Sequence, residues 1–294
     1  MHTLNFSHYD ILHPTPGQLT DEASMVVIPN HLGSSRLDDM KPKGQVVADA
    51  VGCRVLVFDR PGSGARAWDP ADRELLQQGH AQAVARTARQ LSGILQAEGV
   101  RSLHLAGQSS AGIEVAALTA SEILPVSSLT FMDGVGLHAR SALGGLFGYA
   151  RHLFHELQNG HAPGRGETAS PDPTATRPRP LAYIGVQAMR SAAELIDYRA
   201  AYLSAGSRDH LLYIARRMPE VMLSVQLVDN TFTTTPLSAA QIARALHKER
   251  HRCGPMAQPI HSAIHRGAYH SHFDPPSVFA GYVRETYQLS EQST

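Results

Sequence analysis

The run Arg101-Ser-Leu-His-Leu-Ala-Gly-Gln-Ser-Ser-Ala-Gly112 constrains the fold of this chain more than any other stretch. Leu103, Leu105 and Ala106 read as the end of a short buried strand, and Ile113-Glu-Val-Ala-Ala-Leu118 as a helix. Between them, Gly107 to Gly112 offers only one bulkier side chain, so the chain can pass from strand to helix in a very tight turn. Such a turn forces the residue at its tip, Ser109, into strained backbone angles. It also lifts the serine oxygen clear of a sheet and leaves the next amide N–H at the positive end of a new helix. The bland alternative is a serine that caps a helix. Two other readings fail. Ile113-Glu114 stands where a phosphate loop needs Lys-Ser/Thr, and the Gly-x-Gly-x-x-Gly of a dinucleotide site is absent.

The same strand-then-turn pattern recurs along the chain. Met25 to Pro29 is an apolar run ending at Asn30-His31-Leu32-Gly33, and Arg54 to Phe58 is stopped by Asp59-Arg-Pro-Gly-Ser-Gly64. Ser127 to Met132 ends at Asp133, Met222 to Val228 at Asp229, and Ile260 to Ile264 runs up to Gly267-Ala-Tyr-His270. Helical spacing fills the gaps at 38–51, 74–98 and 239–247, and Val278 to Tyr287 is a closing helix. Strands alternating with helices of this length imply βαβ units and a mostly parallel, doubly wound α/β sheet. The alternation breaks over 138–221, where helical runs surround a stretch from Gly160 to Pro180 with five prolines and little to bury. The expected organisation is a core of residues 1–137 and 222–294, with a helical cap at 138–221 carrying a flexible loop at about 160–180.

Composition removes several function classes. At 294 residues and 43% hydrophobic content the chain can bury a large core. Lys+Arg and Asp+Glu are both 26, so no net field draws it to nucleic acid or an anionic membrane surface. Cys53 and Cys253 make no disulfide framework and read as free buried thiols. No basic-then-apolar leader and no long apolar stretch is visible, so a cytoplasmic protein without a membrane segment is expected. The 17 histidines raise the question of a metal. His261 and His265 share a strand face but stand roughly 13 Å apart, too far for one ion. His247 and His251 sit in a basic helix end and read as solvated. No metal site and no cofactor is expected.

Ligands of parallel α/β sheets meet the loops at the carboxyl ends of the strands. Ser109, Asp133, Asp229, His270 and the Asn30–Gly33 loop all fall there. A serine hydroxyl becomes a nucleophile once an imidazole takes its proton and a carboxylate orients that imidazole. The order Ser109…Asp229…His270 suits this architecture. Asp133 is the alternative acid, and His272 the alternative base. An oxyanion needs two N–H donors, for which Ser110 and His31 are placed. Asp59 and Arg60 read as structural, and Gln108 as a residue that packs or hydrogen-bonds beneath the turn.

With these residues the chain resembles the α/β-hydrolase superfamily, over nearly its whole length outside the cap. The resemblance rests on the serine turn, the Asp59–Gly64 turn, Asp229, and Gly267-Ala-Tyr-His270 followed by Asp274-Pro275-Pro276. Two positions depart from the family pattern: Ala111 at the fifth motif position, and Asn30-His31 where a His-Gly pair is usual. The resemblance implies a cofactor-free hydrolase that opens an ester, lactone or thioester through an acyl-enzyme. Its expected partner is a small molecule with an apolar acyl group, with a homodimer left open. C–C bond or amide hydrolysis by the same residues, or a non-catalytic ligand-binding homologue, are the alternatives.

Overall fold

The structure is a computed structural model that describes residues 9–31, 37–60, 77–138, 206–228, 236–266, 268 and 270–292. Within it the strands are β1 (Tyr9–Leu12), β2 (Asp21–Pro29), β3 (Cys53–Phe58), β4 (Ser102–Gln108), β5 (Val126–Met132), β6 (Met222–Val228) and β7 (Ile260–His265). The helices are α1 (Leu37–Val51), α2 (His80–Ala97), α3 (Ser110–Ala120), α4 (Gly206–Arg217), α5 (Pro236–His251) and α6 (Pro276–Glu291). A short 3-10 helix, His270–Phe273, precedes α6.

The described strands form one sheet in the order β1-β3-β2-β4-β5-β6-β7. All neighbours are parallel except β1, which runs antiparallel along the β3 edge, Tyr9 opposite Phe58. Parallel strands are covered on both faces, and the sequence complies: Val55, Leu56, Val57 and Phe58 are all fully buried. Successive residues feed opposite layers. Met25 and Val27 pack with Leu91, Val115, Leu118, Ile214 and Leu246 of the helices on one face. Val26 and Ile28 pack with Met40, Val47, Phe279 and Val283 of α1 and α6 on the other. Two dry layers of this kind supply most of the stabilisation, at about 25 cal/mol per Å² buried.

Most elements extend the expected ones by a few residues at their ends, because edge residues of a strand pair without being apolar. Two elements carry no strong pattern and were not expected: the edge strand β1 and the 3-10 helix. Helix α4 packs on α3 and α5, and its Leu211, Ile214 and Ala215 join the core of the sheet. It belongs with the core and not with the cap expected over 138–221. Residues 139–205 of that stretch, including the Pro-rich loop, lie outside the described residues. Cys53 is buried, whereas Cys253 is only partly so; both are free thiols. Among the described residues no helix is long and apolar enough to cross a membrane.

Candidate active site

Strand order reverses between β2 and β4, since β3 flanks β2 on one side and the chain then crosses to place β4 on the other. The crevice outside the carboxyl ends of such a pair is where this architecture holds ligands. β2 is followed there by Asn30 and His31, and β4 by Ser109.

Ser109 adopts φ 57° and ψ −128°, a backbone region natural to glycine and costly for a residue with a Cβ. The turn is held by three backbone hydrogen bonds. Ser109 N–H donates to the Met132 carbonyl at 3.2 Å, and its own carbonyl accepts from Gly112 N–H at 3.0 Å and Val135 N–H at 3.1 Å. Small residues are required at two points. A Cβ on Gly107 would stand 2.6 Å from the Ala111 carbonyl oxygen, and one on Gly112 would stand 2.7 Å from Gly134 Cα. This explains the departure at Ala111. The close backbone approach falls on Gly112, one residue later, so a methyl fits at the fully buried position 111.

Ser110 opens α3 and is buried, as is His31. Ser110 thus stands at the start of the new helix, and His31 just beyond β2. Asn30 clamps their surroundings. Its Nδ2 donates to Asp59 Oδ1 at 2.9 Å, and its Oδ1 accepts from the Arg60 backbone N–H at 3.0 Å and Arg60 Nε at 3.3 Å. Burial lifts the Asp59 carboxyl to about 7, against the pull of Arg60. These bonds fit the structural role expected for Asp59 and Arg60. The guanidinium goes further than the sequence reading allowed: Arg60 is buried, and its Nη2 donates to Ser110 Oγ at 3.3 Å.

Asp133 follows β5, wholly buried at φ 39°, with its N–H donating to the Gln226 carbonyl at 2.7 Å. Its charge acts on His265, whose Nε2 donates to Gln226 Oε1 at 3.0 Å. The His272 ring packs 5.0 Å from those of His265 and Phe273, in an aromatic cluster with Tyr282. Burial, then His272, holds the His265 imidazole below its ordinary range. Phe273 turns fully inward, and α6 starts at Pro276 after Pro275. Asp229 lies outside the described residues. The backbone of His270 opens the 3-10 helix, and its side chain lies outside them.

Gln108 does bond beneath the turn. Its Oε1 accepts from Lys43 Nζ at 3.1 Å, and its Nε2 donates to Asp274 Oδ1 at 2.5 Å. Sequence reasoning missed Lys43. The signal was present, because Lys43 falls in the inward stripe of α1 with Met40 and Val47. His247 is exposed, as expected, and its Nε2 lies 2.9 Å from Ser262 Oγ in a surface hydrogen bond. Among the described residues no three His, Cys, Asp or Glu side chains cluster as a metal site would require.

No family model matches the sequence, and no curated protein matches it. Solved structures do. Proline iminopeptidase of Mycobacterium smegmatis superposes with a TM-score of 0.57 at 15% identity, covering 98% of this chain and 97% of that one. The enol-lactonase of Burkholderia xenovorans LB400 gives 0.56 at 16% identity, covering 96% of each. A soluble variant of monoglyceride lipase from Saccharomyces cerevisiae, bound to a substrate analogue, gives 0.57 at 12% identity, over 97% and 91%. The architecture is the α/β-hydrolase fold.

Proposed function

We propose that this α/β-hydrolase-fold chain is a serine hydrolase. Ser109 is the nucleophile, His270 the general base, Asp229 the orienting acid, and the amide N–H groups of His31 and Ser110 hold the oxyanion. The observation that carries the reading is the Ser109 backbone, φ 57° and ψ −128°, at the tip of the turn between β4 and α3. A helix-capping serine has no need of that strain, and no side-chain cap bond is made there.

In the first half-reaction His270 takes the hydroxyl proton as Ser109 oxygen bonds to the carbonyl carbon of the substrate. The carbonyl oxygen gains negative charge, which the two amides stabilise. The imidazolium then protonates the leaving group, and the acyl chain stays on Ser109. Water, activated by the same imidazole, releases the acid and restores the serine. The bond opened is an ester, lactone or thioester with an apolar acyl group, in keeping with lactonase and lipase among the structural neighbours. Amide cleavage by the same residues is the second reading, favoured by the iminopeptidase. The proposal extends to a helical cap within 138–221, a cytoplasmic location and, left open, a homodimer.

A fluorophosphonate, which labels only activated serines, tests the assignment when followed by mass spectrometry of the labelled peptide. Labelling at Ser109 is expected in the wild type and absent in His270→Ala, and it should persist in His272→Ala. Asp229→Asn should slow ester turnover by about 10³–10⁴-fold and Asp133→Asn far less. The opposite ranking of either pair moves that role to the other residue.

A further inference from the structure

The amide of Gln108 joins three distant parts of the chain. Lys43 belongs to α1, Gln108 ends β4 directly before Ser109, and Asp274 directly follows the His270–Phe273 helix. Lys43 is fully enclosed, and its ammonium stands 4.8 Å from the centroid of the Phe279 ring of α6. An enclosed ammonium is costly unless its surroundings replace water. Here they are an amide oxygen, a ring face and, one bond further on, a carboxylate.

We propose that Lys43, Gln108 and Asp274 form a positioning relay, in which the Lys43 ammonium acts through the Gln108 amide to hold the histidine-bearing turn against the serine turn. The polarity of the amide gives the relay its direction. A charged lysine can only donate, so Oε1 must face Lys43 and Nε2 must face Asp274. Asp274 is thereby drawn to the residue next to Ser109, and the 3-10 helix that starts at His270 is fixed with it. Loss of the lysine proton removes this constraint, because a neutral amine accepts as well as donates and lets the amide turn over. Misplacing a reacting group by about 1 Å costs on the order of 10²-fold in rate.

The charge is poised to report on this. Burial pulls Lys43 down to about 8, and the Asp274 carboxylate resists that pull. Among the described residues, Asp274 is the charge that acts on it. The α6 segment offers the Phe279 ring, β4 offers the Gln108 amide, and Asp38 and Asp39 of its own helix act on Asp59 instead.

The relay rests on the proposed serine chemistry, and the experiment separates the two. Ester turnover is followed from about pH 6 to about pH 10 in the wild type, Lys43→Met and Asp274→Asn, with fluorophosphonate labelling of each and of Ser109→Ala. The wild type should lose kcat on an alkaline limb near pH 8. Lys43→Met should lower kcat about 10²-fold with KM changed less than about threefold, and should lack that limb. Asp274 is exposed, so Asp274→Asn should fold, and its limb should move to lower pH because the ammonium has lost its carboxylate. A purely structural lysine would move no limb. Labelling of Ser109 together with an undiminished kcat in Lys43→Met overturns the relay and leaves the serine assignment standing. A wild type unlabelled at Ser109 overturns both. Should Lys43→Met fail to fold, an unmoved limb in Asp274→Asn overturns the relay by itself.

Discussion

The two ends of the sheet each bury a basic side chain, and they treat it in opposite ways. At the amino end His104 of β4 is buried, its Nδ1 bonded to Ser128 Oγ at 2.8 Å and its Nε2 to Ser102 Oγ at 3.1 Å. Tyr287 of α6 lies edge-on to the ring at 4.6 Å and donates to Asp21 Oδ2 at 2.8 Å. Burial holds His104 at about 4, so the ring is neutral at pH 7, and its approach to Glu291 is no ion pair there. At the carboxyl end burial holds Lys43 at about 8, so it stays charged at pH 7. The neutral histidine asks little of the fold. The charged lysine costs on the order of 3 kcal/mol at neutral pH, from its displacement below the ordinary lysine value. The strained Ser109 adds about 1–3 kcal/mol at the same end. Stability is thus gathered at one end of the strands and given up at the other, where the proposed chemistry lies.

The largest test of this contrast is at the serine. Ser109→Ala and Ser109→Gly should each lower ester turnover by about 10⁴–10⁶-fold. Urea unfolding should then find Ser109→Gly more stable than Ser109→Ala by about 1 kcal/mol, because glycine adopts the turn without strain. Equal stability of the two would remove strain from the account of the carboxyl end.

Lys43 gives a smaller effect whose sign depends on pH. The native state binds fewer protons than the unfolded one between about 8 and the ordinary lysine value of 10.5. The burial penalty is therefore full below pH 8 and is relieved as pH rises through that window. Lys43→Met, which never carries the penalty, should be the more stable protein at about pH 7. At about pH 10 it should be the less stable, because Gln108 has lost a donor. Thermal unfolding at the two pH values checks this, and a difference of constant sign would mean that Lys43 is not charged inside the fold.

The smallest effect is expected at the amino end. His104 lies below its ordinary value, so its contribution is complete above pH 6.5 and is lost as pH falls toward about 4. Wild-type protein should lose on the order of 2 kcal/mol through this residue between about pH 7 and about pH 4.5. His104→Gln, which can bond both serines without titrating, should show a correspondingly shallower loss in urea midpoints. His80, also pushed down to about 4 by burial, and His210 and His265, which burial likewise lowers, add to the remaining slope. An unchanged slope in the variant would assign the acid sensitivity elsewhere.

Much of the frame was legible because it is written in local pattern. Runs such as Val55–Phe58 and Met222–Val228 are buried on both faces, so composition alone marks them as parallel strands. The serine turn was legible for the same reason: Gly107 and Gly112 are sterically obligatory, and small residues are what a sequence displays. What stayed hidden depends on partners far away in the chain. The Gln108–Asp274 bond spans 166 residues, and the Arg60–Ser110 contact spans 50. Nothing local to Arg60 says that its guanidinium will lie beside the first residue of α3. Edge strand β1 was missed because a four-residue strand exposed along one side has no alternation to read. Lys43 was missed because a lysine in an apolar stripe is ordinarily taken as a solvated break in it.

The hydrogen bonds of Ser109 also imply an order of events as the chain folds. β4 and α3 are contiguous and can form early, yet two of the three backbone bonds that hold the serine come from β5 and the residues after it, at Met132 and Val135. The space that Gly112 needs is likewise bounded by Gly134. Until β5 docks, nothing opposes relaxation of Ser109 into a common backbone region, and the turn is free to relax. β5 in turn pairs with β6, about 90 residues later in the chain, whose docking carries the larger loop-closure entropy. Under the proposed chemistry, reactivity at the serine is therefore a late acquisition. A nascent or partly unfolded chain that already holds β4 and α3 would carry an inert hydroxyl, and the proposed nucleophile would be set only when the distant strands arrive.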